Sequence, residues 1–132
     1  MSDQEELAGE DHSIIKTILV VEDDANMGEF FVQALQQETP YQSMLATDGF
    51  EALKIVRSIK PNLFVLDYQL PNMNGIELYD HLHATEELRN VPALFMSANA
   101  PVRELEKRRV YYLKKPFDLE ELLQKIDELL AE

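Results

Sequence analysis

The sequence predicts an α/β domain, a doubly wound parallel sheet of five strands with helices on both faces. Three observations lead there. Short apolar, β-branched runs alternate five times with longer segments whose apolar residues recur at three- and four-residue spacing, the pattern of repeated βα units. The runs are largely continuous rather than alternating, as strands covered on both faces require. They also end abruptly in acids, hydroxyls, lysines or turn formers, the polar strand tips at which open α/β sheets bind ligands.

Ile14 to Val21 reads as a central strand that ends in Glu22-Asp23-Asp24. A helix follows over Ala25 to Gln37: Met27, Phe30, Phe31, Ala34 and Leu35 share one face, Asp24 stands as N-cap, and Glu38-Thr39-Pro40 stops it. A short strand at Gln42 to Ala46 leads through Thr47-Asp48-Gly49 into a second helix. Its apolar stripe is Ala52, Leu53, Ile55 and Val56, and Pro61-Asn62 breaks it. Leu63 to Leu66 forms the third strand, ending at Asp67 and the turn residues Pro71, Asn72 and Gly75. From about Gly75 a third helix turns Ile76, Leu78, Tyr79 and Leu82 inward, and Val91-Pro92 opens a strand over Ala93 to Ser97. Pro101 suits the first position of a short helix running to about Arg108. Val110 to Leu113 is the fifth strand and Lys114 to Asp118 a turn. Leu119, Leu122, Leu123, Ile126, Leu129 and Leu130 mark an amphipathic last helix.

With 132 residues, 45% of them hydrophobic, one packed domain is expected over 14–131, without internal repeats. Residues 1–13 hold five acids and no Lys or Arg, too little apolar surface to offset ordering, so they read as an acidic disordered tail. The same acids would also suit an electrostatic docking segment. Cys is absent, which excludes disulfides, thiolate catalysis and Cys-based zinc sites. His12, His81 and His83 have no partners at metal-ligand spacing and read as surface residues. A formal net charge of −13 argues against general affinity for nucleic acid or anionic membrane. No apolar stretch is long enough to span a bilayer and the N-terminus lacks a signal-peptide pattern, so a cytoplasmic location is expected.

In a parallel sheet all strand carboxyl ends lie on one edge, which brings Glu22, Asp23, Asp67, Ser97 and Lys115 together. Crowded carboxylates raise one another's pKa unless a cation sits among them, and oxygen donors of this kind suit magnesium. A carboxylate can attack phosphorus to give an acyl phosphate, while a hydroxyl and an ammonium bind the equatorial oxygens. Asp67 is the central candidate, because its strand is flanked on both sides. Taken singly, each of these residues could equally be a strand-end cap or a surface lysine.

The segments ILVVEDD at 18–24, DGFEAL at 48–53, LFVLDYQLPNMNG at 63–75, ALFMSAN at 93–99 and YYLKKPF at 111–117 together resemble a response-regulator receiver domain of two-component signalling. The resemblance covers Ile14 to Leu130 and implies a flavodoxin-like sheet of order 2-1-3-4-5. Carried over by position, it makes Asp67 the phosphoacceptor and Asp23 a direct Mg2+ ligand. Glu22 would reach the metal through water, and the backbone carbonyl of Gln69 is a further ligand. Ser97 matches the switch hydroxyl, Lys115 the cation paired with the phosphoryl group, and Tyr112 the aromatic that turns inward when the hydroxyl moves; core packing would also explain Tyr112. The Lys115-Pro116 bond is expected to be cis, aiming Lys115 into the site. Gln69 and Asn99 match the positions that tune phosphoryl lifetime.

The chain departs from the pattern between Ser97 and Lys115, 18 residues apart, where about one helical turn of the fourth helix is missing. Arg108-Arg109 replaces the small pair usual before the fifth strand. Arg103, Lys107, Arg108, Arg109, Lys114 and Lys115 make up half of the 12 Lys and Arg. They form either a basic patch for an acidic partner or the tail, or a solvated face balanced by Glu104, Glu106, Glu120 and Glu121. The resemblance implies a stand-alone receiver, phosphorylated by a histidine kinase or a histidine phosphotransfer protein. It would signal to a downstream protein target, as a monomer or homodimer, without binding nucleic acid or membrane. It would phosphorylate and dephosphorylate itself and convert no external substrate, so it is not an enzyme in the ordinary sense. A phosphorylation-independent adaptor on the same fold is the alternative. A metal-dependent phosphohydrolase would need a second Asp where Gln69 stands.

Overall fold

A computed structural model of the protein describes residues 15–131. The acidic tail expected over residues 1–13, with His12 and Ile14, lies outside the described residues. Five strands, β1 (Thr17–Val21), β2 (Gln42–Ala46), β3 (Leu63–Asp67), β4 (Ala93–Ser97) and β5 (Tyr111–Lys114), alternate with five helices. The helices are α1 (Ala25–Glu38), α2 (Gly49–Ile55), α3 (Gly75–Ala84), α4 (Val102–Arg108) and α5 (Leu119–Leu130), and a 3-10 turn occupies Glu86–Leu88. All strand pairs are parallel and the order is β2-β1-β3-β4-β5, the flavodoxin-like arrangement.

Successive residues of a strand point to opposite faces, so β3 feeds two cores at once. Phe64 and Leu66 pack with Ala52 of α2, Leu78 and Leu82 of α3 and Leu105 of α4. Leu63 and Val65 pack with Phe31 and Leu35 of α1 and with Leu122, Ile126 and Leu130 of α5. Those three α5 residues, four apart, form its buried stripe. Helix starts are secured by side chains that accept otherwise orphaned amides: Asp24 for α1, Asp48 for α2, and capping boxes Asn74/Glu77 for α3 and Asp118/Glu121 for α5.

Five expectations need correction. The first strand begins at Thr17 rather than at Ile14, because pairing starts where Gln42 and Asn62 become available: Thr17 N donates to Asn62 Oδ1 at 2.8 Å. Ile15 is 53% exposed. In α1, Met27 and Phe30 face outward; Gly28, Phe31, Ala34 and Leu35 are the buried set. Gly28 decides this, since a Cβ there would lie 2.6 Å from Leu45 Cδ1, so the helix meets β2 along its glycine. Pro101 is the N-cap of α4 rather than its first residue, and β5 begins one residue later than expected, because Val110 N closes α4 by donating to Leu105 O. His83 is half-buried, its ring 4.0 Å from that of Tyr79 and its Nε2 3.0 Å from Val91 O. Among the described residues, no helix is long and apolar enough to cross a membrane.

Candidate functional site

The carboxyl ends of the three central strands, together with the loop after β5, build one polar site. Asp67 is the last residue of β3 and Ser97 the last of β4. The ladder extends one step past β1, where Glu22 N donates to Ala46 O at 3.0 Å, and past β5, where Lys115 N donates to Ser97 O at 3.0 Å. Main-chain register therefore fixes where all four side chains originate. Glu22, Asp67 and Ser97 are buried polar residues in an otherwise apolar interior.

Glu22, Asp23 and Asp67 each offer a carboxylate oxygen within 4.8 Å of the others. The Lys115 ammonium approaches from the β5 side, with Nζ 3.6 Å from Asp67 Oδ1 and 3.7 Å from Glu22 Oε1. Asp24 N donates to Glu22 Oε2 at 3.2 Å, whereas the buried Glu22 Oε1 has no hydrogen-bond partner. Burial, reinforced by the charge of Asp67, pushes the Glu22 carboxyl up to about 7 against the opposing effects of the Asp24 amide and Lys115. Burial likewise raises Asp67, opposed by Lys115 and by the Gln69 backbone N–H. Three carboxyl groups, those of Glu22 and Asp67 buried and that of Asp23 exposed, face a single ammonium. An orphaned carboxylate oxygen, an all-oxygen donor set and an excess of carboxyl groups over cations fit a hard divalent cation.

Ser97 Oγ accepts from Asn99 N at 3.0 Å, which orients the hydroxyl at the mouth of the following loop. The half-buried Tyr112 donates its hydroxyl to Ser97 O at 3.2 Å and so touches the β4 end directly. Gln69 sits exposed two residues beyond Asp67, and the Lys115–Pro116 bond is cis. Every site residue expected from the sequence is thus brought to this edge, and Tyr112 is one step behind it.

Two features of the surroundings escaped sequence reasoning. Gly75 packs against the main chain of the site: a Cβ there would lie 2.4 Å from Asp67 O, so only glycine allows α3 to start so close to Asp67. An apolar groove of about 470 Å³ beside Lys115 is lined by the exposed Met27 and Phe30 together with Phe31, Pro116 and Phe117. Their three- and four-residue spacing had assigned Met27 and Phe30 to the core. Of the two readings of the region from Arg103 to Lys115, the face balanced by acids holds at Glu104, which pairs with Lys107 and Arg108; Arg108 also pairs with Asp80, and Lys115 belongs to the site.

Comparison with known proteins adds an independent line. The family model described as response regulator receiver domain matches residues 18–127. The response regulator MprA of Mycobacterium ulcerans is 38% identical over 117 residues, covering 86% of this chain and 49% of that protein. Hybrid signal transduction histidine kinase D of Dictyostelium discoideum is 33% identical over 118 residues, which are 86% of this chain and 8% of that protein. The chain therefore spans about half the length of MprA and a small part of the kinase. Among solved structures, the response regulator TrrA of Thermotoga maritima in complex with Mg2+ and BeF superposes with TM-score 0.76 at 30% identity, covering 88% of this chain and all of that one (100%). The chemotaxis protein CheY4 of Vibrio cholerae gives TM-score 0.81 over 88% of this chain and 99% of that one; at 24% identity it speaks to the fold.

Proposed function

The chain belongs to the response regulator receiver domains of two-component signalling, modules that signal rather than classical enzymes, and from that premise we propose that Asp67 accepts a phosphoryl group from a phosphohistidine. The observation that carries the proposal is the Glu22-Asp23-Asp67 cluster, in which Glu22 and Asp67 are buried and Asp23 is exposed, with Lys115 Nζ 3.6 Å from Asp67 Oδ1. An Asp67 carboxylate oxygen attacks phosphorus and forms the new P–O bond. The P–N bond to the donor imidazole breaks, its electron pair stays on the nitrogen, and that nitrogen then takes a proton. Lys115 holds negative charge on the transferring group, and the Ser97 hydroxyl, on the neighbouring strand end, donates to another of its oxygens. Bound Mg2+ would neutralise phosphoryl charge; Glu22, Asp23, Asp67 and the Gln69 carbonyl are the groups that would hold it.

The donor would be a histidine kinase or histidine phosphotransfer protein, docking on the apolar rim of Met27 and Phe30 beside Lys115. The output would be altered binding of a downstream protein, in the cytoplasm and without direct contact to nucleic acid. Treatment with a small acyl phosphate and Mg2+ is expected to add one phosphoryl group to the wild type and none to Asp67→Asn. Equal labelling of both proteins would sink the proposal.

A further inference from the structure

Between Glu51 and Asp67 this acidic chain has no Asp or Glu but three cations, Lys54, Arg57 and Lys60. All three are exposed, and none pairs with an acid among the described residues. Phe50, Lys54 and Arg57 recur at helical spacing on one face of α2. The turn beyond Ile55 continues that face, since Arg57 N donates to Lys54 O at 3.2 Å. A shallow groove of about 610 Å³ lies along it, lined by Phe50, Leu53, Lys54 and Arg57 and by two acids, Asp48 and Glu51. Both acids are engaged at the helix start. Asp48 Oδ1 accepts from Glu51 N at 2.7 Å, and Glu51 Oε1 accepts from Thr47 N at 2.7 Å and from Thr47 Oγ1 at 3.0 Å. Phe50, 58% exposed, is the most exposed large apolar residue among those described.

The topology brings this face to the point where the chain enters the fold. Helix α2 starts at the site edge, after β2, and runs to the opposite edge, where β1 begins. There Asn62 N donates to Thr17 O at 2.7 Å and Asn62 Oδ1 accepts from Thr17 N at 2.8 Å, so Lys60 stands beside the entry of residues 1–14. Ile15 and Ile59, 53% and 37% exposed, flank that entry. The entering segment carries Asp3, Glu5, Glu6, Glu10 and Asp11, no Lys or Arg, and one large aliphatic residue, Leu7. From Ile15 back to Leu7 the chain reaches up to about 28 Å, more than the roughly 17 Å spanned by the five residues of β1. The other concentration of cations, from Arg103 to Lys115, is interleaved with Glu104 and Glu106 and lies on β4 and β5, two and three strands away from β1.

We propose that the acidic segment 1–13 of this chain docks along the outer face of α2, its acids pairing with Lys60, Arg57 and Lys54 and Leu7 covering Phe50. Charge complementarity and reach give the direction. Glu10 and Asp11, nearest the entry, meet Lys60 and Arg57; Glu5 and Glu6 meet Lys54 one turn higher. Any acidic partner of this face must first displace the segment. The inference does not depend on phosphoryl chemistry at Asp67.

Because the chain has no Cys, one nitroxide on Ala8→Cys in the full-length protein reports where the segment lies, through broadening of backbone amide signals. At low salt the broadening is expected to centre on 50–57 and to spare 103–114. It should vanish at about 1 M salt, where charge is screened beyond about 3 Å. Combining Lys54→Glu, Arg57→Glu and Lys60→Glu should reduce it at least about tenfold, at about two- to fivefold for each exposed pair. Adding Glu6→Lys, Glu10→Lys and Asp11→Lys to that variant should restore it, which a variant that merely misfolds would not do. Broadening centred on 103–114 assigns the segment to the other cations and overturns the proposal. Broadening of a nitroxide-free, isotope-labelled chain by a second, nitroxide-bearing chain assigns the face to a neighbour's segment and overturns it as well. So does an absence of broadening on α2, which leaves the face to a different molecule, or broadening that survives the charge reversal.

Discussion

Glu22 has a buried carboxylate oxygen without a partner and a pKa raised from 4.5 to about 7, first by burial and then by the charge of Asp67. The native state therefore holds this proton more tightly than the unfolded chain does. Its contribution to stability is fully present below pH 4.5 and is lost as pH rises through about 7. Asp67 is raised too and acts in the same direction, whereas the depressed Asp80 and Glu104 titrate below this window. Urea unfolding in the presence of a chelator is expected to show stability falling across that range, by on the order of a few kcal/mol. Glu22→Gln should flatten the slope and exceed wild type at pH 7, and Mg2+ should restore wild type in proportion to its binding. A metal-free wild type whose stability is flat or rises with pH would contradict this. Arg109 is the second residue of interest, because it closes α4 at φ 58° and ψ 36°, left-handed values unfavourable for a side chain. Arg109→Gly is expected to add about 1 kcal/mol, read as a higher urea midpoint at unchanged slope.

At the scale of elements, α4 and the α3 start are the sensitive pieces. Leu105 is 2% exposed and is the one buried residue of α4, so Leu105→Ala is expected to cost about 2–5 kcal/mol and to detach the helix. Far-ultraviolet circular dichroism and urea unfolding read both effects. Gly75→Ala forces Asp67 O and α3 apart, at a cost of about 1–3 kcal/mol. It should slow phosphoryl uptake out of proportion to that loss, because it displaces the acceptor itself. The strands were legible in the sequence because each is a short apolar run closed by a polar residue. Parallel pairing then carries Glu22, Asp67, Ser97 and Lys115 to one edge without any further information. The inner face of α1 was legible at Phe31, Ala34 and Leu35 but not at its start, because what meets β2 there is Gly28, a residue without a hydrophobic signal, and Met27 and Phe30 at helical spacing look the same buried or exposed. The Arg108–Asp80 pair was equally hidden. Its partners lie 28 residues apart on different helices, and no local spacing reports such a contact.

For the whole molecule, the site stands at one edge of a sheet that is apolar on both faces. The site concentrates negative charge in an already acidic chain of net −13. A divalent cation there offsets repulsion that folding creates, which couples metal binding, stability and readiness for phosphoryl transfer. The most direct measurement is a peptide-resolved mass map of the wild type after reaction with an acyl phosphate, with and without a chelator of Mg2+. A single phosphoryl group on the peptide carrying Asp67, formed only with Mg2+, is the expected result. A phosphoryl group on another residue, or one formed equally in the chelator, would contradict the role given to the carboxylate cluster.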